Sequence, residues 1–372
     1  KIADALKHYC HEDKELYYAH ENRFAFYVKR YSEKKDLLDF AQELNVCLKG
    51  FLVSDRLSWG IGVIEITENN RMQMDHLLHD VLITSEYSLS QFDHSCKIYF
   101  FEDALRDRML RRNQINNDIE AIIAAKSDTT LLLYFQPIID LKTNRICSFE
   151  ALSRLSSSTL GIVSPLDFIP IAERTKLIVP LGKLIIREAC AFSRLLQDHG
   201  ACDVTVSINI APQQLLEEGF CDQVLIVLKE YKLKPSAIVL ELTESALSSH
   251  FHTINIALSQ LHGAGIKTAL DDFGTGYSSL SRERELAVSI IKIDKSFIDN
   301  LAELSFDEAI TGDIVSMAHR MKQRVIAEGV ETEEQLQYLK EVDCDMIQGY
   351  FFSKPLEAMD ALKFFQSWHF ER

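Results

Sequence analysis

The chain has 372 residues, of which 47% are hydrophobic and 26% are charged, and its formal net charge at pH 7 is -15. This composition is typical of a globular protein long enough for two domains, and it excludes a largely disordered chain. The negative charge argues against a broad nucleic-acid-binding face, which would need clustered Lys and Arg. We therefore expect no DNA or RNA partner, and a small anionic ligand would need bound cations or a few placed basic side chains.

No apolar stretch approaches the roughly 20 residues of a membrane helix, and the opening KIADALKHYCHEDK is too charged for a signal peptide. We therefore expect no membrane segment here and a cytoplasmic location. The eight cysteines contain no C-x-x-C pair. This pattern favours free thiols over disulfides and disfavours a structural zinc site.

The first part of the chain predicts a small α/β domain. RFAFYV (23–28) and LSWGIGVIEI (57–66) have strand composition, while residues 31–49 and 71–87 have helical periodicity. Residues 101–126 are charged, helical in period and free of Gly and Pro, which predicts a connecting helix. The expected organisation is a first domain at 1–104, a connecting helix at 105–126 and a second domain at 127–372.

The second part repeats a short apolar or β-branched run followed, in most cases, by a helical stretch. The runs cover residues 131–141, 147–155, 204–211, 238–245, 266–272, 289–297, 324–331 and 346–352. Eight strands with mostly helical crossovers fit a modified (β/α)8 barrel of TIM type better than an open sheet. The short LKTNRI link after the first run predicts a hairpin, so the first strand is expected to be antiparallel.

Polar residues stand at or near the exits of strands two to eight. They are Glu150, Asn209, Glu241, Asp271 with Asp272, Lys292, Glu328 and Gln348. Barrel enzymes carry their chemistry at these strand ends. Converging carboxylates repel unless they are neutralised, and carboxylate and amide oxygens are ligands that Mg²⁺ and Mn²⁺ prefer.

The stretch IKTALDDFGTGYSSL (266–280) ends an apolar run in two adjacent aspartates. One interpretation is structural, since an Asp at a strand exit can cap the next helix and Gly with Ser is common in turns. The other is that Asp271 and Asp272 reach two ions that share a bridging carboxylate, as in two-metal hydrolysis of phosphodiesters. Lys292 could then orient the water, and Gly274 and Gly276 would let the loop bend over the site.

The motifs SFEALSRL, SINIAPQQL, LELTES, DDFGTGYSSL, IKIDKSF, VIAEGVE and IQGYFFSKP resemble, in order, those of EAL-domain cyclic di-GMP phosphodiesterases. The resemblance covers about residues 112–372. It implies a modified barrel in which two Mg²⁺ or Mn²⁺ ions drive hydrolysis of cyclic di-GMP to linear pGpG.

The resemblance also implies roles for individual residues. The metal ligands would be Glu150, Asn209, Glu241, a bridging Asp271, and Asp272 at the second ion. Lys292 would sit at the attacking water, Glu328 would support the second metal through water, and Glu244 would steady the DFGTGYSS loop. The substrate-binding residues would be Gln136, Leu152, Arg154, Gln348 and Pro355, with Arg154 at a phosphate.

The first domain resembles the second half of a GGDEF domain, the diguanylate cyclase fold that commonly precedes EAL. His20 to Phe24 stand where the signature would be, so both glycines and the central Asp-Glu pair are absent. The inhibitory R-x-x-D motif would fall at His11 to Lys14 and is absent too. We expect no cyclase activity, and the missing first strands suggest a fragment of a longer protein.

The resemblance implies a homodimer through the EAL domain, but two departures lie near the family's dimer contact. SRERELAVSI (281–290) replaces a more apolar segment, and Leu155 stands where Trp is common. The alternatives to a hydrolase are a receptor that binds cyclic di-GMP without cleaving it, and an interaction module. Helical histidines at 76, 79, 250, 252 and 262, Trp59 and the tail KFFQSWHF are interpreted as surface, packing or docking residues.

Overall fold

The computed structural model describes residues 1–19, 23–55, 58–67, 74–91, 96–126, 129–247, 251–274, 286–299, 301 and 309–368. The chain forms two compact units, Lys1–Gln114 and Ile115–Arg372. Within the described ranges, no helix combines the length and the apolar character needed to cross a bilayer.

The first unit is a small α/β fold. Its elements are α1 (Ile2–Lys7), β1 (Lys14–Ala19), β2 (Arg23–Val28), α2 (Lys34–Asp55), β3 (Ile61–Val63), α3 (Met74–Ser90) and β4 (Ile98–Phe100). β1 and β2 form an antiparallel hairpin, whereas β3 and β4 pair in parallel. Phe40 and Leu44 of α2 form a core with the hairpin residues Leu16 and Phe26. The helix α4 (Asp103–Ile123) runs from this unit into the second.

The predicted elements of the first unit are present, with two differences. The predicted strand 57–66 is reduced to β3. Its backbone lies against α3, since an added Cβ would be 2.1 Å from Ser85 O at Gly60 and 2.4 Å from Ser85 N at Gly62. β1 and β4 were not predicted. The expected signature position at His20 to Asn22 lies outside the described residues.

The second unit alternates strands and helices. Its strands are β5 (Thr130–Asp140), β6 (Arg145–Ser157), β7 (Gly161–Val163), β8 (Thr205–Asn209), β9 (Ile238–Thr243), β10 (Lys267–Phe273), β11 (Ile290–Ile293), β12 (Arg324–Ala327), β13 (Met346–Ile347) and β14 (Leu356–Glu357). Its helices after α4 are α5 (Pro165–Arg174), α6 (Ile178–Asp198), α7 (Pro212–Leu215), α8 (Phe220–Glu230), α9 (Phe251–Gly263), α10 (Lys295–Asp299), α11 (Thr311–Arg320), α12 (Glu333–Glu341) and α13 (Ala358–Ser367).

Eight strands close into a barrel in the order β5, β6, β8, β9, β10, β11, β12, β13 and back to β5. β5 is antiparallel to both of its neighbours, and the other neighbouring pairs are parallel. This confirms the predicted modified barrel and its antiparallel first strand. β7 and β14 are short strands added to the outside of this closed order.

The barrel is held by two apolar clusters. A small one lies inside and joins Ile138, Val239, Ala269, Ile290, Ile326 and Met346, one from each of six strands. The larger cluster joins the outer strand faces to the surrounding helices and includes Phe135, Phe149 and Phe192. Leu155 is fully buried in it, so this departure from the family's Trp is a core residue. The burial of both clusters fixes where the strand ends meet.

Candidate metal centre

The polar residues predicted at the strand exits form one layer directly beyond the inner apolar cluster. Side chains two residues apart on a strand point to the same face, and each polar residue follows an inward-facing residue by two positions. The pairs are Ser148 and Glu150, Ser207 and Asn209, Val239 and Glu241, Ala269 and Asp271, Ile290 and Lys292, Ile326 and Glu328, and Met346 and Gln348. Seven strands therefore contribute to this polar layer, which lies directly beyond the inner apolar cluster.

Lys292 is the centre of this layer. Its side chain is 1% exposed, and its Nζ lies 2.5 Å from Glu328 Oε1, 2.7 Å from Glu241 Oε2, 3.1 Å from Asp271 Oδ1 and 3.5 Å from Glu150 Oε2. One ammonium is thus shared by four carboxylates. A single positive charge cannot neutralise four negative ones in a poorly solvated site, so the cluster favours additional cations.

The adjacent aspartates reach one site because β10 contains a β-bulge. β10 pairs with β11 at Leu270–Ile291 and next at Phe273–Ile293, so three steps on β10 match two on β11. Asp272 has φ = 54°, a left-handed conformation that is uncommon for a residue other than glycine. In a regular strand, consecutive side chains would point to opposite faces. The bulge re-aims the second carboxylate, as bulges beside active sites do.

The carboxylate of Glu150 is fixed by two amide groups. Asn209 Nδ2 donates to Glu150 Oε1 at 2.8 Å, and Gln348 Nε2 donates to Glu150 Oε2 at 2.7 Å. Gln348 also donates to Gln136 Oε1 at 3.1 Å, and Gln136 donates to the carbonyl of Ser353. These hydrogen-bonded side-chain amides set the orientation of the Glu150 carboxylate without a bound ligand.

Burial raises the pKa of Glu241 and of Glu328 to about 8, and the Lys292 charge offsets this only in part. Burial also opposes ionisation of Glu150, but the Lys292 charge and the two amide donors outweigh it and lower the pKa of this carboxyl. Although burial disfavours charge on Lys292, the carboxylates around it hold its pKa well above the ordinary value. Lys292 is therefore a charged group that stabilises some, but not all, of its acidic neighbours.

Burial, followed by the negative charges of Asp271 and Asp294, raises the pKa of Asp272. The site therefore contains more carboxyl groups than the Lys292 ammonium stabilises in the ionised form.

The residues fit a pair of divalent cations. Carboxylate oxygens of Glu150, Glu241 and Asp271 lie within 4.8 Å of one another, and so do those of Asp271, Asp272 and Glu328. Asp271 is common to both groups. Glu241 is fully buried, and its Oε1 has no hydrogen-bond partner within the described part of the chain. The donors are oxygens alone, which suits Mg²⁺ or Mn²⁺ better than zinc.

We expect Mg²⁺ to raise the melting temperature more at about pH 8.5 than at about pH 6, because the cation replaces protons held by the site. Glu241 and Glu328 have folded-state pKa values of about 8, above the ordinary value. Their contribution to stability is complete below the unfolded pKa of about 4.3 and is lost as the pH rises through about 8. Thermal denaturation with and without MgCl₂ measures this, and an equal shift at both pH values would contradict it.

The predicted substrate-binding residues lie around the same mouth. Leu152 and Arg154 follow Glu150 on the same face of β6, and Arg154 is about 13 Å further along the strand at 3.3 Å per residue. The Arg154 guanidinium lies 5.9 Å from the centre of the Tyr134 ring. Pro355 directly precedes β14, which pairs with β5. Leu152, Arg154 and Pro355 are half-buried and lie outside the two carboxylate clusters. Gln136 and Gln348 are buried and hydrogen-bonded to each other.

Glu244 contacts the last described residue after the aspartates, Gly274. It is buried, and its Oε2 accepts a hydrogen bond from the Gly274 amide at 2.9 Å. The remainder of the loop, residues 275–285 with Gly276, lies outside the described residues, as does His250.

Tyr134 was not predicted from the sequence. It stands opposite Leu152 in the β5–β6 pairing and shares a face with Gln136, so strand alternation could have identified it. The pair Asp271–Asp272 does not cap a described helix. Asp294 does so instead, since its Oδ1 accepts the Ser296 amide at the start of α10.

The two tryptophans have structural roles. Trp59 donates to Asn45 and Trp368 donates to the carbonyl of Asn144. Trp368 also contacts Phe352 and Phe364 and packs against the main apolar cluster. None of the acidic groups suited to a metal within the described ranges contains a histidine. All eight cysteines are free.

Comparisons with known proteins point to one family. The sequence model of the EAL domain matches residues 119–355. The chain is 34% identical over 263 residues to the bifunctional diguanylate cyclase/cyclic di-GMP phosphodiesterase MucR of Pseudomonas aeruginosa, covering 71% of this chain and 38% of that protein. It is also 34% identical over 266 residues to the cyclic di-GMP phosphodiesterase NbdA of the same species, covering 72% of this chain and 34% of that one.

A solved structure described as the PaMucR phosphodiesterase in complex with c-di-GMP matches with a TM-score of 0.62 and 35% identity. The match covers 67% of this chain and 99% of that one. The chain spans little more than a third of the length of the two curated relatives.

Proposed function

This chain belongs to the EAL domain family, and we propose that it hydrolyses cyclic di-GMP at the acidic cluster around Asp271. The observation that carries the proposal is the pair of overlapping acidic groups with Asp271 in common and the Lys292 ammonium among them. The two relatives whose names include cyclic di-GMP phosphodiesterase activity support the choice of substrate.

Two divalent cations bound to these groups would activate water and stabilise the charge that develops on the phosphodiester. Glu150, Asn209, Glu241 and Asp271 would hold one cation, and Asp271 with Asp272 would hold the other. Glu328 lies within the second group and would act on that cation directly or through water. We propose Mg²⁺ or Mn²⁺ because the donors are hard oxygens.

Lys292 would remain protonated through the reaction, because the pKa of this side chain is held well above its ordinary value. Its positive charge would therefore stabilise the attacking water and the negative charge that develops on the phosphoryl group, but it would not serve as the general base. Its position among four carboxylates keeps it fixed without reorganisation when charge develops.

The proposed product is linear pGpG. The water oxygen forms a bond to one phosphorus and gives up a proton, the bond from that phosphorus to the 3′ oxygen breaks, and the leaving oxygen takes up a proton. Gln136, Leu152, Arg154, Gln348 and Pro355 would bind the dinucleotide, with Arg154 at a phosphate. Arg154 is half-buried beside Tyr134, and it lies four residues beyond Glu150 on β6, which supports this role.

A product assay tests the proposal. The purified chain is incubated with cyclic di-GMP, with and without Mg²⁺ or Mn²⁺, and the nucleotides are separated by chromatography. We expect pGpG only when a divalent cation is present, and EDTA should stop its formation. Binding of cyclic di-GMP without cleavage at saturating Mn²⁺ would instead support the receptor alternative.

For the first unit, we propose a degenerate GGDEF domain without cyclase activity, with the division at residues 104 and 126. The β1–β2 hairpin spans the position of the missing signature, and Arg23 of β2 pairs with Glu86 at 3.0 Å. A cation at this place disfavours metal binding. A homodimer through the second unit is a further proposal, which sedimentation at several concentrations would test.

A further inference from the structure

The bulge that aims Asp272 needs support from its surroundings. A residue other than glycine in the left-handed region is strained and persists only where neighbouring groups fix it. Asp272 has φ = 54°, and two residues later Gly274 has φ = 94°. The end of β10 therefore contains two unusual backbone conformations directly beside the proposed metal ligands.

Two hydrogen bonds restrain the backbone at the end of β10. The Asp272 amide donates to Asp271 Oδ1 at 3.0 Å, and the Gly274 amide donates to Glu244 Oε2 at 2.9 Å. Both restrain amide groups. Neither restrains the Cα side of Gly274, which lacks a side chain and could otherwise adopt many conformations.

The ring of Phe297 covers that open side. A Cβ placed on Gly274 would lie 2.7 Å from both Cε2 and Cζ of Phe297, which is closer than real Cβ contacts come. The backbone of Gly274 is therefore in close contact with the ring. The conformation of Gly274 is therefore restrained by the Glu244 carboxylate on one side and the Phe297 ring on the other.

Phe297 is itself held in place through β11, the strand that carries Lys292. It belongs to α10, which begins two residues after β11 and is capped by Asp294. Its carbonyl accepts a hydrogen bond from Thr311 Oγ1 at 3.3 Å, and its ring packs against the main apolar cluster. A contact with Phe297 thus ties the exit of β10 to the next strand of the barrel.

We propose that Phe297 is a positioning residue for the second cation site, acting through Gly274 on Asp272. The inference rests on the proposed function, since it assumes that Asp271, Asp272 and Glu328 bind a cation. Without the ring, Gly274 is free to leave its conformation, and the bulge can relax toward a regular strand in which Asp272 points away. Glu150 and Glu241 lie on β6 and β9, outside the bulge, and Asp271 keeps a regular pairing with Thr243 of β9, so the first site stays intact.

The test is Mn²⁺ binding to the full chain, measured by calorimetry without nucleotide. The unmodified protein should bind two ions. In Phe297→Ala, one ion should bind as before and the other about tenfold or more weakly, the usual loss when the support of a ligand is removed. Phe297→Leu, which keeps part of the bulk, should lose less and also covers the case in which Phe297→Ala does not fold.

Ile298→Ala is the matched control. Ile298 is the next residue of α10 and is fully buried in the main cluster, so its truncation should lower the melting temperature while both Mn²⁺ affinities stay unchanged. Two unaltered Mn²⁺ affinities in a folded Phe297 variant would overturn the inference. Equal loss in Ile298→Ala would also overturn it, since the role would then be general packing. Failure of the unmodified protein to bind Mn²⁺ would instead overturn the proposed function.

Discussion

Asp271→Asn is expected to lower kcat for cyclic di-GMP by roughly a thousandfold or more, since about 4 kcal/mol of metal-derived stabilisation corresponds to that factor. Asp271 is the one residue common to both acidic groups, so the substitution affects both cation sites. The neutral amide keeps the shape of the side chain but offers only one weakly basic oxygen. The loss should be measured as kcat at saturating Mn²⁺.

The matched control for this change is Asp198→Asn. Asp198 is exposed at the end of α6 and forms a surface ion pair with Arg194, which contributes little to stability. It should retain the kcat of the unmodified protein. Near-normal turnover in Asp271→Asn at saturating metal would show that Asp271 does not bridge two cations, whatever the behaviour of the control.

Lys292→Met is expected to have two separable effects. It removes the only ammonium described within 3.5 Å of these carboxylates, so turnover should fall by about two to three orders of magnitude, as when a transition-state donor is lost. Because Lys292 is 1% exposed, its loss also leaves buried carboxylates without their partner, at a cost of about 3–5 kcal/mol. Met keeps most of the length of the side chain and removes its charge, so the main effect is one of charge.

The two effects separate when metal is varied. The melting temperature of Lys292→Met should fall strongly without divalent cation and recover with saturating Mg²⁺, because the cation replaces the missing charge. Turnover should not recover. Lys363→Ala, which removes an exposed lysine paired with Asp360, should change neither quantity. Recovery of turnover together with stability would show that Lys292 serves only as a counter-ion.

The barrel could be predicted from the sequence because each of its strands carries its own local signal. Apolar runs separated by helical stretches indicated all eight strands, and the short LKTNRI link indicated the antiparallel first pair. The polar layer could be predicted from the strand ends alone, because a closed barrel brings those ends to one mouth. No pairing needed to be known in advance.

The arrangement of Asp271 and Asp272 could not be predicted in the same way. Alternation along a strand places adjacent side chains on opposite faces, and the bulge that overrides it depends on contacts with Glu244 and Phe297, which are distant in sequence. The hydrogen bonds that link Gln136, Gln348 and Glu150 could not be predicted for the same reason, since they join residues up to 212 positions apart. Short strands such as β4 were missed because three residues carry too little periodicity.

Anomalous diffraction from crystals grown with Mn²⁺ would test the account most directly. The account predicts two manganese peaks at the mouth of the barrel, each with an oxygen of Asp271 among its ligands. A single peak, or peaks that do not share Asp271, would contradict it.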